Sequence, residues 1–353
     1  MSRLSLLLFS RNHNEGVFSI LGELHDVVDE VVLVDSSDAS VRKELHERKE
    51  RERWSKLRIF YIIPTGLVET SSMYGLAKCT CEWVLYLDAD EKVNAALKND
   101  IRRIISGKAD GFVIKRYEYV KNGVIDKSFF TWNTRLYRRA KASYLGIVHE
   151  QAIIEGRVER LDDRYYIINT VEYKNPLTGN EYSKLLKLER MSYGSYNKIM
   201  LEQIGKVVMP ESKSFERTRI GKAVLFILRS YEALTSRDME GELSDFDYYI
   251  YNTIKYTIFF TKAGDLKGLA NILKFSSEYV RRIRRWKNES DGKEIFEISK
   301  IIYKEGIINF LGLNNENKVM ELNRKYKDAK IKGADLLLKL LKEEYAERMR
   351  RKI

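Results

Sequence analysis

Residues 83–91 read Trp83-Val84-Leu85-Tyr86-Leu87-Asp88-Ala89-Asp90-Glu91, a short apolar run that passes straight into three closely set carboxylates. The run has strand length, and its unbroken apolarity suits a parallel strand buried on both faces. In an open α/β sheet the carboxyl ends of such strands border the ligand crevice. Two aspartates at i and i+2 on that edge make a hard oxygen site suited to Mg²⁺ or Mn²⁺ holding a diphosphate. An acidic loop ahead of a helix has the same local sequence, so the surrounding pattern must decide.

That pattern alternates. Residues 4–10 form a first strand and 14–24 a helix; 31–35 form a second strand, followed by the charged helix 39–53. A third strand at 59–63 is broken by Pro64-Thr65-Gly66. Ser71 or Ser72 caps a short helix to Ala77, and the fourth strand is 83–87. The expectation is an α/β domain with a Rossmann-like, mostly parallel sheet and helices on both faces. After residue 110 the pattern turns β-rich: residues 111–120 and 125–130 flank Asn122-Gly123, a hairpin signal, and 131–139 and 165–173 follow. Pro176 and Gly179 then punctuate the chain, and helical periodicity takes over. The predicted division is a domain over 1–178 and a mainly α-helical, basic domain over 179–353, ending in a helix at about 333–352.

With 353 residues, 44% hydrophobic and 32% charged, the chain has ample material for a folded core. Its only cysteines, Cys79 and Cys81, are too few for a zinc site and awkwardly spaced for a mutual disulfide, so they read as packing thiols of a reducing compartment. The apolar run at 4–9, hemmed by Arg3 and Arg11, is too short for a signal peptide or a membrane span. A cytoplasmic protein is expected. Of the net charge of +12, the balance is +2 over residues 1–180 and +10 over 181–353, so anionic partners belong to the second half. Its densest clusters are 281–287 and 348–352. A solvated basic face is the default reading, and peripheral docking on an anionic membrane is the alternative. No nucleic-acid-binding motif accompanies the charge, which makes nucleic acid the least expected partner.

The strand 31–35 ends in Asp35-Ser36-Ser37-Asp38 just before a helix. Asp38 or Ser37 can serve as its N-cap. Asp35, at the carboxyl end of an inner strand, can accept the imide N–H of uracil or a ribose hydroxyl.

Taken together, Ser10-Arg11-Asn12-His13-Asn14, Leu33-Val34-Asp35-Ser36-Ser37-Asp38 and Leu87-Asp88-Ala89-Asp90-Glu91 resemble family 2 glycosyltransferases of the GT-A fold. The likeness is to the subgroup with an L-D-A-D-E signature that includes lipopolysaccharide-core glucosyltransferases. Thr134-Arg135-Leu136-Tyr137-Arg138-Arg139 and Gly146-Ile147-Val148-His149-Glu150-Gln151 extend it to about residue 155. The resemblance implies a nucleotide-diphosphate sugar donor, UDP-linked among the candidates, and a glycan, lipid-linked or protein acceptor. Arg11 and Asp35 would meet the nucleotide. Asp88 would touch the ribose or the metal, Asp90 would ligate Mn²⁺ or Mg²⁺ directly, and His149 would contact the metal or diphosphate. Glu150 is the expected base for an inverting transfer, with Asp162 and Asp163 as outside candidates. Glu91 either extends the acidic edge or favours the N-terminus of the next helix.

One departure stands out. Many members carry A-R-N-x-G before the D-x-D strand, whereas Ser71-Ser72-Met73-Tyr74-Gly75 keeps the glycine and loses the arginine and asparagine. Two other readings therefore stay open. One is a sugar-phosphate nucleotidyltransferase, although residues 10–16 hold a single glycine. The other is a degenerate transferase fold acting as a basic membrane or nucleic-acid adaptor.

Overall fold

The structure, a computed structural model, describes residues 2–65, 68–118, 120–121, 124–125, 127, 130–144, 151–170, 294, 297–298, 301–302, 305–327, 329–331 and 333–351. Along the first half the elements are β1 (Leu4–Ser10), α1 (Asn14–Leu24), β2 (Glu30–Asp35), α2 (Ala39–Glu52), β3 (Leu57–Tyr61), α3 (Ser72–Lys78), β4 (Trp83–Asp88), β5 (Glu91–Val93) and α4 (Ala95–Ile104). There follow β6 (Gly111–Tyr117), the short pair β7 (Val120–Lys121) and β8 (Val124–Ile125), β9 (Phe130–Arg138), β10 (Ala142–Ser143), β11 (Ile153–Ile154), β12 (Val158–Arg160) and β13 (Tyr166–Asn169).

The main sheet runs in the order β3-β2-β1-β4-β9-β6-β13-β5, with β12 also on β6. Strands β1 to β4 are parallel. β9 inserts antiparallel to both β4 and β6, so β6 points the same way as the first four. The expected α/β architecture with a mostly parallel sheet is present, and the side-chain alternation of β1 shows how it is clad. Leu4, Leu6 and Leu8 join a core with Val17, Phe18 and Leu21 of α1, Leu45 of α2, and Leu97 and Ile101 of α4. Leu7 and Phe9 point to the other face. There α3 lies so close that a Cβ on Gly75 would stand 2.8 Å from Leu7 Cδ1 and 3.0 Å from Val34 Cγ2. The glycine of the Ser71–Gly75 stretch is a helix-to-sheet packing residue.

Polar side chains lock this frame. Glu30, on the face of Leu7, accepts hydrogen bonds from Ser5 Oγ, Thr80 N, Thr80 Oγ1 and Cys81 N, and pairs with Arg58 at 3.2 Å. It ties the turn ahead of β4 to the amino ends of β1 and β2. Cys79 and Cys81 are buried free thiols. The hairpin is longer than the sequence suggests: β6 pairs with β9 over most of its length, and β7 with β8 form a small antiparallel extension.

Two compact units are present. The first is Met1–Lys174 together with Ile308–Leu340; the second is Asn175–Ile307 with Leu341–Ile353. The returning segment Ile308–Leu340 contains α6 (Glu316–Tyr326), after the short α5 (Ile307–Phe310) and before α7 (Ala334–Arg350). It contacts the β3 end directly. Asn323 Oδ1 accepts from Ile63 N at 2.8 Å, Asn323 Nδ2 donates to Tyr61 O at 2.9 Å, and Gly333 N donates to Pro64 O at 2.8 Å. In the second unit Arg348 pairs with Glu305 and Lys342 with Glu294. The helices expected across 181–292, with the 281–287 basic cluster, lie outside the described residues. Among the described residues no helix is long and apolar enough to cross a membrane.

Candidate functional site

Register places the chemistry at one sheet edge. Ser10 stands opposite Asp35, Asp35 opposite Tyr61, and Phe9 opposite Asp88, so four parallel strands deliver their last residues to the same crevice. Beyond Asp88 the chain makes a tight turn, with Ala89 N donating to Phe9 O at 3.0 Å, and Glu91 opens β5. The Asp90 carbonyl is held by Thr170 N and Thr170 Oγ1, both at 2.8 Å.

Glu91 is fully buried. Its carboxylate accepts from Asp88 N at 3.0 Å and from Arg135 Nη2 at 2.7 Å, and pairs with Arg116. The sequence expectation for Glu91, an acidic edge or a helix-terminus charge, is corrected. It is the buried anchor of two arginines, and Asn94 caps α4 instead, accepting from Leu97 N at 3.1 Å. Arg116 also pairs with Glu118, whose carboxylate accepts from the Thr131 hydroxyl. Arg135 reaches Asp88 Oδ2 at 3.1 Å, and its guanidinium lies 4.3 Å above the Tyr86 ring. Burial works against the charge of both arginines, but Glu91 outweighs it and holds them above the usual arginine range. Burial and the neighbouring Glu91 charge push the Asp88 carboxyl up to about 6, against the pull of Arg135 and Arg116. The same two causes raise Asp90. Its half-buried carboxylate has no ion pair, and no side-chain hydrogen bond from another residue, among the described residues. Nor do the described residues contain a group of three or more metal-ligating side chains. Asp88 and Asp90 are hard oxygen donors of the kind Mg²⁺ or Mn²⁺ takes, so these two fit a metal held partly by its ligand's phosphates.

A second set of polar groups lies at the β2 and β3 ends. Asp35 is fully buried. Its Oδ1 accepts from the Ser37 hydroxyl, while Oδ2 is buried without a hydrogen-bond partner among the described residues. Burial raises its carboxyl. The Tyr61 hydroxyl is likewise buried and has no partner among the described residues, and burial with the nearby Asp35 charge pushes it up to about 12. The Arg42 guanidinium sits 5.0 Å from the Tyr61 ring centre, and Arg42 Nε donates to Ser37 O at 2.7 Å. Asp38 stands at the N-cap position of α2 without capping it. Its carboxylate accepts from Asn12 Nδ2 at 3.2 Å, and its own N–H donates to Asn12 Oδ1, joining the loops after β1 and β2. Arg11 is exposed, with no hydrogen bond or ion pair among the described residues.

The first turn of α1 abuts the acidic turn. His13 Nδ1 caps the helix by accepting from Gly16 N at 3.1 Å, and a Cβ on Gly16 would fall 2.0 Å from the Ala89 carbonyl oxygen. In the Ser71–Gly75 stretch, Ser72 is buried and Met73 Sδ accepts from Tyr144 N at 3.3 Å. Asp163 pairs with Lys115 and Arg160, and Asp162 accepts from Arg164 N. Both are thus engaged elsewhere. His149 and Glu150 lie outside the described residues.

The structure brings Asp35, Asp88 and Asp90 together at one sheet edge and sets beside them Arg116, Arg135, Tyr61 and Gly16, to which sequence reading gave no role. The signal for Arg135 was the arginine-rich strand itself. A bulge at Phe112/Val113 leaves Arg135 without an opposite residue on β6, and so frees it to turn toward Asp88.

No family model matches the chain. It is 22% identical over 183 residues to an uncharacterized glycosyltransferase of Rickettsia felis, covering 49% of this chain and 62% of that one. A counterpart from Rickettsia conorii is 23% identical over 181 residues, with 48% and 61% covered. The chain thus spans about three fifths of the length of these relatives. Among solved structures, TarS of S. aureus matches with a TM-score of 0.41 at 17% identity, covering 76% of this chain and 54% of TarS. A shorter TarS crystal structure, residues 1–349, gives 0.39 at 16% identity, with 79% and 91% covered.

Proposed function

We propose that the chain is a metal-dependent glycosyltransferase of the GT-A type, family 2-like and of the L-D-A-D-E subgroup. It would move a hexose from a nucleotide-diphosphate sugar to an acceptor hydroxyl with inversion. The observation that carries this reading is that Asp35 Oδ2 and the Asp90 carboxylate, on the same sheet edge, lack protein partners among the described residues, while Asp88, Glu91, Arg116 and Arg135 are paired with one another. A buried polar atom without a hydrogen bond costs about 1–3 kcal/mol, which a bound nucleobase restores. Uracil fits best. With Asp35 Oδ1 taken by Ser37, a single carboxylate oxygen is left without a hydrogen bond at the edge that also carries the Tyr61 O–H, and a small turn of either side chain would present it to the base. Uracil offers one ring N–H flanked by carbonyls, whereas guanine sets two N–H groups side by side and wants both oxygens.

Asp90, with Asp88, would hold the cation that neutralises the leaving diphosphate. Asp88 stays oriented by Arg135, and Glu91 fixes that arginine. Glu150 is assigned as the base that takes the acceptor proton, with His149 beside the diphosphate; the family resemblance alone supports these two roles. The acceptor is a glycan, a lipid-linked sugar or a protein, and the basic second half would favour an anionic membrane.

Titrating UDP, GDP and their common sugar conjugates, with and without Mn²⁺, tests the reading on wild type and Asp90→Ala. Metal-dependent binding of a uridine nucleotide that disappears in Asp90→Ala is expected. Unchanged metal-dependent binding in the variant removes Asp90 from the site and overturns the assignment.

A further inference from the structure

β3 is the edge strand of the sheet, and its end carries Tyr61, the partner of Asp35. On its inner side the ladder continues past the strand, with Ile62 N donating to Asp35 O at 3.0 Å. Its outer side has no neighbouring strand among the described residues. There the carboxamide of Asn323, more than 260 residues on in the sequence, supplies both halves of a strand-like pairing. Nδ2 gives a hydrogen bond to Tyr61 O and Oδ1 takes one from Ile63 N. Gly333 N adds a bond to Pro64 O, and Glu316 at the start of α6 pairs with Lys78 of α3. The segment 61–64 is therefore held between Asp35 and the C-terminal part of the same compact unit.

We propose that Asn323 is a positioning residue of the nucleobase pocket, and that the segment Ile308–Leu340 completes that pocket by fixing the backbone of Tyr61. The proposal builds on the nucleotide-sugar reading above and deepens it. A side-chain amide is suited to the task, because it offers a donor and an acceptor side by side and matches one N–H and one C=O of an open strand edge. An edge left unpaired here would fray, and the phenol would lose its register with Asp35.

The test compares Asn323→Leu, which removes both bonds, with Asn315→Ala. Asn315 caps the same helix, accepting from Asn317 N and Lys318 N, and does not touch β3. UDP is titrated in Mn²⁺ buffer into the full chain, and amide hydrogen exchange is followed over residues 35–37 and 61–65. Losing the pair should weaken UDP binding at least about tenfold, the equivalent of one to two hydrogen bonds. Exchange at 61–65 should rise by a similar factor, while Asn315→Ala moves neither beyond about twofold on the same hydrogen-bond scale. Wild-type exchange at 61–65 in Asn323→Leu, or equal effects in the two variants, overturns the proposal. If wild type binds no nucleotide at all, the functional reading fails, and the exchange data alone decide whether Asn323 orders the β3 end.

Discussion

Gly16→Ala sets helix propensity against packing. Gly16 is in the first turn of α1, and alanine is worth about 1 kcal/mol over glycine in a helix interior. On that ground alone the substitution should stabilise. The built Cβ, however, stands 2.0 Å from the Ala89 carbonyl oxygen and 2.2 Å from His13 Nδ1. Carbon and carbonyl oxygen sit no closer than about 3.3 Å even in attractive contacts, so about 1.3 Å of movement is required. One obstacle is backbone, in the middle of Asp88-Ala89-Asp90. The other is the capping imidazole, whose loss costs about 1 kcal/mol, and overpacking of this kind costs about 1–3 kcal/mol. The net expectation is destabilisation by about 1–3 kcal/mol. Gly22 of the same helix is the control: a Cβ there meets nothing within 4 Å. Gly22→Ala should stabilise by about 0.5–1 kcal/mol. Melting temperatures of the two variants should therefore move in opposite directions. Because a misplacement of about 1 Å in a catalytic constellation costs about a hundredfold, Gly16→Ala should also lose most metal-dependent UDP binding. A Gly16→Ala protein as stable as Gly22→Ala, with wild-type nucleotide affinity, would refute the close approach of α1 to the acidic turn.

Glu30 supplies a pH prediction. Burial raises its carboxyl, but hydrogen bonds from Ser5, Thr80 and Cys81 outweigh this and leave it below the ordinary value of 4.5. A depressed carboxyl stabilises the fold above its unfolded value, and that contribution is lost as pH falls through the lower folded value. Glu30→Gln should flatten the acid limb of melting temperature against pH below 4.5 and lower the plateau above it; an unchanged acid limb refutes the linkage. Glu91→Gln should destabilise by about 3–5 kcal/mol, since it leaves two buried guanidinium groups short of their anion. Adding Arg116→Met should recover part of that loss in a double-mutant cycle, whereas strict additivity would mean the two side chains are not coupled.

Much of this fold is legible because its rules are local. The bounds of α1 follow from apolar spacing, and β1, β2 and β4 from short apolar runs ending in polar residues. Asp35 and Asp90 are legible for the same reason, as carboxylates at the ends of such runs. Glu91 misleads because a buried, doubly paired glutamate and an exposed acidic edge are written with the same letters. What separates them is a bulge that re-aims Arg135, and bulges leave no period in the sequence. Asp38 misleads similarly: it holds the cap position, yet Asn12 of another loop claims its carboxylate. Asn323 is the furthest from view, since a polar residue on an amphipathic helix gives no sign of the strand edge it meets.

The charge around the acidic turn explains why two adjacent carboxylates should answer so differently to removal. Four carboxylates, Asp88, Asp90, Glu91 and Glu118, gather around the two buried arginines Arg116 and Arg135. The arginines are spent on Glu91, on Glu118 and on one oxygen of Asp88, which leaves an excess of negative charge centred on Asp90. An arginine beside Asp90 would cancel that excess permanently and would block any incoming cation. On the proposed reading, an Asp90 without an ion pair among the described residues keeps its charge for a divalent ion that arrives with the diphosphate. Glu91→Gln should then damage folding first and activity as a consequence. Asp90→Ala should leave the melting temperature unchanged or raised, because it relieves repulsion at a site with no native partner, while abolishing metal-dependent turnover. A large fall in melting temperature for Asp90→Ala would show that its carboxylate is structural, and the division of labour between the two acids would fail.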